Sequence, residues 1–262
     1  MKLGFKRMIK RMMLPVFQRV AVITKKINAL VYKGLFILEW FVDQPENFDH
    51  EIDLYWQWNE YCMPYWLERG IYSIQALKMF KNPTVIELCC GDGFNAKYFY
   101  ATSAAKIYAC DFDEKIIKMA KKKNKKVNIE FKVADIRHGI GNIFGNDLKK
   151  EVTNVIWDAA IEHFTPEEIN KIMVDIKETL SVQKGILSGY TLVERKEGKS
   201  LEQHEYEFKN MEDLERFLTP YFKTVFVFET IYPDRHNLYF YASDGSIPFG
   251  KGWEHGRINI GE

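Results

Sequence analysis

Apolar residues of this chain follow two alternating patterns from about residue 84 onward. Short runs rich in β-branched and aromatic residues occupy 85–88, 106–110, 127–133, 154–157 and 184–190. Between two of these runs, Ile116, Ile117, Met119 and Ala120 recur at the spacing of a helix face. Strand-like runs that alternate with amphipathic helices predict an α/β fold with a largely parallel sheet.

A capping signal marks the start of one helix, directly after the fourth run. Thr165 has the character of an N-cap, Pro166 fits the first helical position, and Glu168 can complete a capping box. Further along, the pattern predicts one helix and then two strands, at 211–218, 225–229 and 238–242. The alternation of helices and strands therefore continues almost to the end of the chain.

The most specific local feature is the turn after the first run, from which a helix is expected to open near Asn95. A dinucleotide-binding G-x-G-x-x-G frame does not fit, because Cys89 replaces the first glycine and Phe94 replaces the third. An acid-x-small-x-Gly-x-Gly frame does fit, at Glu87, Cys89, Gly91 and Gly93. In that frame the acid faces a cationic ligand, and the glycines let the backbone approach it closely.

This turn resembles motif I of the class I S-adenosylmethionine-dependent methyltransferases of the small-molecule or glycan type. The ammonium and sulfonium groups of S-adenosylmethionine suit an acid, whereas a pyrophosphate would be repelled. The resemblance assigns cofactor contacts to Glu87, Cys89, Gly91 and Gly93, although Cys89 stands where the family usually has glycine.

The same resemblance covers roughly residues 71–244 and implies the overall organisation. It implies a doubly wound, seven-stranded, mostly parallel α/β sheet with an antiparallel last strand. The chain would then consist of a helical extension or cap at 1–70, a catalytic domain at 71–244 and a tail at 245–262.

Three acids at strand ends are further cofactor candidates. Asp111 ends the second run, 24 residues after the acid of the turn, and can accept hydrogen bonds from both ribose hydroxyls, while Phe112 could lie against the adenine ring. Asp135, followed by Ile136, matches the family position that binds the adenine amino group. Asp158 follows the fourth run. The alternatives are that Asp111 caps the next helix, that Asp135 is an ordinary turn acid and that Asp158 stabilises its own loop.

Methyl transfer to oxygen needs a group that removes the acceptor proton. His163 is the first candidate, because Glu162-His163 resembles a pair found after the fourth strand of many small-molecule methyltransferases; a structural histidine is the alternative. His204 is the second candidate, and Tyr190 and Glu194 are further ones. The Asn/Asp-Pro-Pro-Tyr/Phe signature of DNA and glutamine amino-methyltransferases is missing there. We therefore expect a small-molecule or glycan acceptor that is methylated at oxygen.

Two other functions fit parts of this pattern. A catalytically inactive protein could keep the S-adenosylmethionine-binding residues, and a nicotinamide-dependent oxidoreductase is disfavoured by the misplaced glycines. No metal site is expected, because no C-x-x-C pair or nearby histidine accompanies the cysteines. The four cysteines, two of them adjacent, do not resemble a disulfide framework, so a reducing, cytoplasmic compartment is expected.

Charge is distributed unevenly along the chain. Residues 1–38 hold nine lysines and arginines and no acid, so this segment carries +9 and the rest of the +1 chain carries −8. Its apolar residues recur at helical spacing, and Pro15 is expected to break or kink the helix. No uncharged apolar run reaches the roughly 18 residues of a membrane span.

This basic segment is compatible with two functions. It could lie as an interfacial helix on an anionic membrane, or it could pack as a lid on the catalytic domain. The acidic remainder of the chain disfavours nucleic-acid binding.

Aromatic residues crowd the segment 45–72, interleaved with acids. They are Phe48, Tyr55, Trp56, Trp58, Tyr61, Tyr65 and Trp66. In this family, segments before motif I often cover the cofactor and shape the acceptor pocket; a satellite core under the N-terminal helix is the alternative. Contact of the first segment with the inner membrane face would favour a lipid-linked glycan acceptor.

Overall fold

A computed structural model of the chain describes residues 2–39, 41, 49–52, 65–195, 202–232 and 235–249. The chain divides into two compact units, Met1–Trp66 and Leu67–Glu262. Most of the predicted aromatic cap at 45–72 and most of the predicted tail at 245–262 lie outside the described residues.

The first unit contains one long helix, α1 (Lys2–Glu39). The helix continues across Pro15, so of the predicted break or kink at this residue the break is wrong. A proline removes a single N–H donor, and here the turns on both sides of it stay helical. Within the described residues, no helix is long and apolar enough to cross a membrane.

The second unit is built around one seven-stranded sheet. Its strands are β1 (Thr84–Leu88), β2 (Lys106–Asp111), β3 (Ile129–Val133), β4 (Asn154–Asp158), β5 (Ile186–Leu192), β6 (Thr224–Tyr232) and β7 (Arg235–Ser243). Their spatial order is β3-β2-β1-β4-β5-β7-β6. β7 runs antiparallel to β5 and β6, and the other pairings are parallel. The predicted α/β sheet is therefore confirmed.

Helical segments connect the strands. The longer ones are α2 (Tyr65–Lys78), α3 (Glu114–Lys123), α4 (Ile140–Phe144), α5 (Pro166–Ser181) and α6 (Met211–Leu218). A π-helical turn at Ala96–Tyr100 follows β1, and 3-10 turns lie at Ile136–His138, Asn146–Lys150 and Ile161–His163. Each connection between neighbouring parallel strands thus contains a helical crossover, as a parallel sheet requires.

The predicted start of α5 is confirmed in detail. Thr165 is the N-cap, and its hydroxyl accepts a hydrogen bond from the backbone N–H of Glu168 at 3.3 Å. The Glu168 carboxylate accepts one from the Thr165 N–H at 3.0 Å, which completes the capping box. Pro166 occupies the first turn. The cap fixes the end of the loop that joins β4 to α5.

Two strands begin later than the sequence predicts. β3 begins at Ile129 rather than Val127, whose side chain is 98% exposed and contributes nothing to the core. β5 begins at Ile186, because Lys184 has a φ of 48°, which interrupts an extended chain.

The last two strands form a longer hairpin than predicted. Thr230 and Tyr232 lie beyond the predicted end of β6 at residue 229, and their hydroxyls donate to the Glu68 carboxylate of α2 at 3.0 and 2.6 Å. Tyr239 on β7 donates to the same carboxylate at 3.1 Å. These hydrogen bonds fasten α2 to the sheet through polar side chains, which a hydrophobic pattern does not predict.

Gly189 sits at the tightest point between two central strands. It lies opposite Trp157 in the parallel register of β4 and β5. A Cβ at Gly189 would lie 2.0 Å from the Trp157 carbonyl oxygen and 2.7 Å from the Phe240 ring. A backbone carbonyl in the middle of a sheet cannot move away without disturbing the strand pairing, so the register requires glycine here.

Gly189→Ala should therefore destabilise the second unit, since overpacking in a core costs about 1–3 kcal/mol. We expect the midpoint of urea denaturation, followed by circular dichroism and tryptophan fluorescence, to fall. Gly34→Ala is a matched control in α1, because no described atom outside its chain neighbours and the adjoining helix backbone lies within 4 Å of the added Cβ. Equal midpoints for the two variants would contradict the β4–β5 register.

Candidate active site

The carboxyl ends of β1, β2 and β4 meet at one edge of the sheet. The strand order reverses at β1, which pairs with β2 on one side and with β4 on the other. Open α/β sheets bind ligands at such a switch point. Glu87, Asp111 and Asp158 lie at or next to the ends of these three strands. The topology therefore brings three predicted site residues to one edge.

The turn after β1 has a left-handed backbone at three positions. Cys89, Gly91 and Gly93 have φ values of 53°, 53° and 73°. Cys89 therefore carries a strain of roughly 1–2 kcal/mol that a glycine would not. At Gly93 a Cβ would also lie 2.6 Å from the Phe131 ring. The small residues of the turn are thus a requirement of the backbone, and Cys89 is the exception that the backbone tolerates.

Glu87 is a deeply buried acid at the end of β1, with 2% of its surface exposed. Burial raises the pKa of its carboxyl well above the usual range, and the carboxylates of Asp158 and Asp92 raise it further. Its Oε2 atom has no hydrogen-bond partner among the described residues. A buried oxygen without a donor favours a cationic or hydrogen-bonding ligand at this point.

Asp111 connects β2 to the turn. Its carboxylate accepts hydrogen bonds from the backbone N–H of Gly91 at 3.0 Å and of Asp113 at 3.1 Å. The N-cap of α3 is Asp113, so the helix-capping role considered for Asp111 belongs to its neighbour. Burial raises the pKa of Asp111 despite these bonds. Phe112 follows with 71% of its side chain exposed.

Asp135 caps the short turn Ile136–His138 and forms an ion pair with Arg137, whose Nη2 lies 2.8 Å from Oδ2. Burial raises the pKa of Asp135, but the hydrogen bonds and the charge of Arg137 outweigh it, so the pKa lies below its usual value. The Ile136 side chain is buried. These features support a turn-stabilising role, and an adenine contact by either residue stays a prediction.

Asp158 is surrounded by side chains from three other elements. Tyr100 and Asn95 both donate hydrogen bonds to Oδ2, the latter at 3.3 Å. Arg69 donates two to the hydroxyl of Tyr190, at 2.9 and 3.1 Å. Burial raises the pKa of Asp158 to about 7, although Tyr100, Arg69 and Asn95 each lower it. Its Oδ1 has no partner among the described residues.

Tyr100 reaches this acid from the end of the π turn. The turn is closed by the backbone N–H of Ala101, which donates to the Ala96 carbonyl at 2.9 Å. A π turn holds one residue more than an α-helical turn and redirects the side chains around it, frequently at functional sites. Simple helical periodicity does not predict such an insertion.

Glu162, His163 and His204 form a second cluster, which begins four residues after Asp158. The two imidazole rings pack edge to face with their centroids 4.8 Å apart. One potential ligand atom of each of the three residues lies within 4.8 Å of the others. Glu162 and His204 are buried, whereas His163 is partly exposed. The structure thus brings together two predicted histidines that are 41 residues apart in sequence.

The segment that carries His204 is anchored to the loop after β4. The Glu162 carbonyl accepts hydrogen bonds from the backbone N–H groups of Glu205 at 2.8 Å and Tyr206 at 3.1 Å. Glu207, buried in the same segment, is hydrogen-bonded to Nδ1 of His204. Backbone and side-chain bonds together therefore fix the position of His204.

The two further candidates for the group that removes the acceptor proton, Tyr190 and Glu194, lie elsewhere. The Tyr190 hydroxyl is bonded to Arg69, next to Asp158, and so belongs with the first cluster, which is formed by the acids Glu87, Asp111 and Asp158 at the sheet edge. Glu194 has an exposed side chain, and its backbone N–H donates to the Phe208 carbonyl at 2.9 Å.

The residues that complete the two clusters were not predicted from the sequence. Arg69, Asn95 and Tyr100 surround Asp158, while Thr191 and Glu207 support the histidine cluster. In the sequence, the one residue that pointed to a larger cluster was Glu162, because it directly precedes His163. The others lie on elements whose proximity only the fold establishes.

The first cluster fits S-adenosylmethionine. Glu87 and Asp158 each offer a buried oxygen without a partner among the described residues, which suits an ammonium group. The left-handed turn lets the backbone approach a ligand closely. Phe112 follows β2 with an exposed ring, and its contact with the adenine stays a prediction.

Comparison with known proteins finds a methyltransferase domain and structures of the same fold. Residues 85–183 match the family described as a methyltransferase domain. TehB from Haemophilus influenzae is 16% identical with a TM-score of 0.53; the match covers 72% of this chain and 66% of TehB. A candidate methyltransferase from Bacillus halodurans C-125 is 14% identical with a TM-score of 0.51, covering 66% of this chain and 99% of that one.

A third similar structure is the methyltransferase domain of the bacterial protein CtHen1-C, at 12% identity and a TM-score of 0.52. The match covers 68% of this chain and all of that domain, 100%. No curated protein matches the chain in sequence. At these identities the structures establish the fold alone.

The raised pKa of Asp158 predicts a dependence of stability on pH. An unfolded aspartate titrates near 3.9, whereas this one titrates near 7. Between these values the folded state holds a proton that the unfolded state lacks. The stabilisation is therefore complete below about pH 4 and is lost as the pH rises towards 7, with an upper bound of about 4 kcal/mol.

Asp158→Asn should remove this contribution, so the variant should lose less stability than the wild type between pH 5 and 8. Urea denaturation at each pH measures the difference. Asp147→Asn is the control, because the Asp147 side chain is 99% exposed. Parallel pH profiles for wild type and Asp158→Asn would show that Asp158 is ionised throughout.

Proposed function

We propose that this chain, a class I S-adenosylmethionine-dependent methyltransferase by its domain match and its fold, methylates an oxygen atom of a small molecule or glycan. One observation carries the proposal: two clusters adjoin at the end of β4. The first contains buried acids that suit a cationic cofactor. The second contains two imidazoles that suit the proton of a hydroxyl acceptor.

The first cluster would hold the cofactor. When bound, S-adenosylmethionine supplies an electrophilic methyl group, which passes from sulfur to the acceptor oxygen while the carbon–sulfur electron pair stays on sulfur. Glu87 and Asp158 would bind the ammonium group through their buried oxygens. Asp111 would accept hydrogen bonds from the ribose hydroxyls, since the two oxygens of a carboxylate can accept about four hydrogen bonds in all. Phe112 and Asp135 would contact the adenine.

The second cluster would act on the acceptor. Positioning supplies much of the rate of methyl transfer, but a hydroxyl becomes a good nucleophile only as its proton leaves. Nδ1 of His163 lies 3.2 Å from the carbonyl oxygen of Gln203. A proton on Nδ1 is donated to that carbonyl, and the lone pair is then on Nε2. Nε2 of His163 is therefore the atom that would accept the proton, with His204 packed beside it.

His163→Ala should lower turnover by about 10²–10⁴-fold, the usual contribution of a general base, and should leave cofactor affinity unchanged. Calorimetry measures S-adenosylmethionine binding, and transfer of a labelled methyl group to a panel of sugars, phenols and lipid-linked glycans measures turnover. His138→Ala is the control, because His138 is exposed at the end of another turn.

Two results would contradict this proposal. Absence of S-adenosylmethionine binding by the wild type at millimolar concentration would exclude the cofactor. Near-normal turnover of His163→Ala would remove His163 from the mechanism.

We also propose that α1 binds an anionic membrane surface. One stripe of the helix is apolar, with side chains 44–72% exposed at Phe5, Ile9, Met12, Val16, Val20, Ile23, Ile27 and Leu30. Lysines and arginines occupy other faces of the same helix, which has no acid before Glu39. Such helices lie in the interface plane, where each basic residue near anionic lipid contributes about 1 kcal/mol.

Substitution of the apolar stripe tests this proposal. The double variant Val20→Asp and Ile23→Asp should lose flotation with vesicles that contain phosphatidylglycerol. The matched double variant Ala21→Asp and Thr24→Asp makes the same charge change outside the apolar stripe. This variant should keep most of the flotation. Equal flotation of the two variants, or flotation that persists after deletion of residues 1–38, would contradict membrane binding by α1.

A further inference from the structure

The cluster of Glu162, His163 and His204 has the composition of a metal site. Each residue offers one ligand atom, and these atoms lie within 4.8 Å of one another. Two imidazoles and one carboxylate are a ligand set that several divalent transition metals use. A cation about 2.1 Å from each ligand needs the three atoms roughly 3–3.5 Å apart. The separations of these atoms extend to 4.8 Å, so binding of a cation would draw each ligand atom inward by about an ångström.

Both histidines are oriented by a bond at Nδ1. In His204 this nitrogen is bonded to the carboxylate of Glu207, and in His163 it lies 3.2 Å from the carbonyl oxygen of Gln203. A proton on Nδ1 leaves the lone pair of each ring on Nε2. Metal-binding histidines almost always donate their other nitrogen to a carboxylate or a carbonyl in this way. The cluster therefore includes the outer partners that a metal site needs.

The third residue, Glu162, is oriented as well. The Thr191 hydroxyl donates to its Oε2 at 2.9 Å, so one carboxylate oxygen is fixed by the protein. Glu162 and Glu207 are both buried, which makes the cluster a place where two acids lie away from solvent. Buried acids are stabilised by a nearby positive charge. Burial and charge therefore favour a cation here.

We propose that Glu162, His163 and His204 bind one divalent transition-metal cation, whose remaining coordination positions take the oxygen of the methyl acceptor. The binding site is inferred from the cluster itself, while the role of the cation rests on the proposed methyl transfer to oxygen and would replace His163 as the group that activates the hydroxyl. A coordinated hydroxyl has a lowered pKa, so its proton passes to solvent rather than to Nε2 of His163.

Loss of turnover in a histidine variant does not distinguish a base from a ligand, so the test measures binding directly. The full chain, stripped with a chelator, is titrated with Co²⁺ and followed by calorimetry and visible absorption. We expect one Co²⁺ per chain with nitrogen and oxygen ligands. His163→Ala and Glu162→Gln should weaken binding by at least about 100-fold, and Glu207→Gln by about 10–100-fold.

His236→Ala is the matched control. Nε2 of His236 lies 2.8 Å from Oε2 of Glu229, so this pair is also a histidine bonded to a carboxylate, on β6 and β7. Its Co²⁺ affinity should equal that of the wild type. Circular dichroism confirms that each variant is folded, and the partly exposed His163 makes its variant the least disruptive one.

Three results would overturn the cation site. They are no Co²⁺ binding by the wild type, unchanged binding in both His163→Ala and Glu162→Gln, and an absorption band of thiolate ligation, which would place the ion at a cysteine. Calorimetry with S-adenosylmethionine on the same sample separates the two proposals. Cofactor binding without Co²⁺ binding removes the cation alone, and Co²⁺ binding without cofactor binding removes the proposed function alone.

Discussion

The parallel pairing of β1 with β4 is the constraint on which the site depends, because it brings buried acids to one edge of the sheet. Burial raises the pKa of both Glu87 and Asp158, and the Asp158 carboxylate raises that of Glu87 further. Buried carboxylates are costly unless they are protonated or paired with a cation. The edge therefore selects a positively charged ligand, and a pyrophosphate would add to the repulsion.

The loop after β4 joins the first cluster, which contains the buried acids, to the second cluster, which contains the two histidines. This loop is fixed at both ends. Ala159 turns the chain with a φ of 47°, and its N–H donates to the Tyr190 carbonyl at 2.7 Å. The capping box of Thr165 holds the far end. A short loop with both ends fixed keeps the two clusters at a constant separation. Methyl transfer needs this kind of positioning, because donor and acceptor must be held in line.

Features that depend on neighbouring residues could be predicted from the sequence, and features that depend on the fold could not. The capping box of Thr165 and the small-residue turn are local, and the structure confirms both the box and the strand–turn–helix order. Arg69 and Tyr190 are 121 residues apart, so no local pattern predicts their contact. Pro15 shows the reverse case, in which a local rule predicted a break or a kink and the helix runs through the residue without a break.

The histidine cluster shows how the fold changes a chemical interpretation. The sequence offered His163 and His204 as alternative bases, and a base needs one imidazole whose Nε2 carries a lone pair. The bonds at Gln203 and Glu207 favour that tautomer in both rings. Two such rings beside the buried Glu162 exceed what proton removal from one hydroxyl requires. A cation needs all three groups, and so it accounts for the part of the cluster that a single base leaves unexplained.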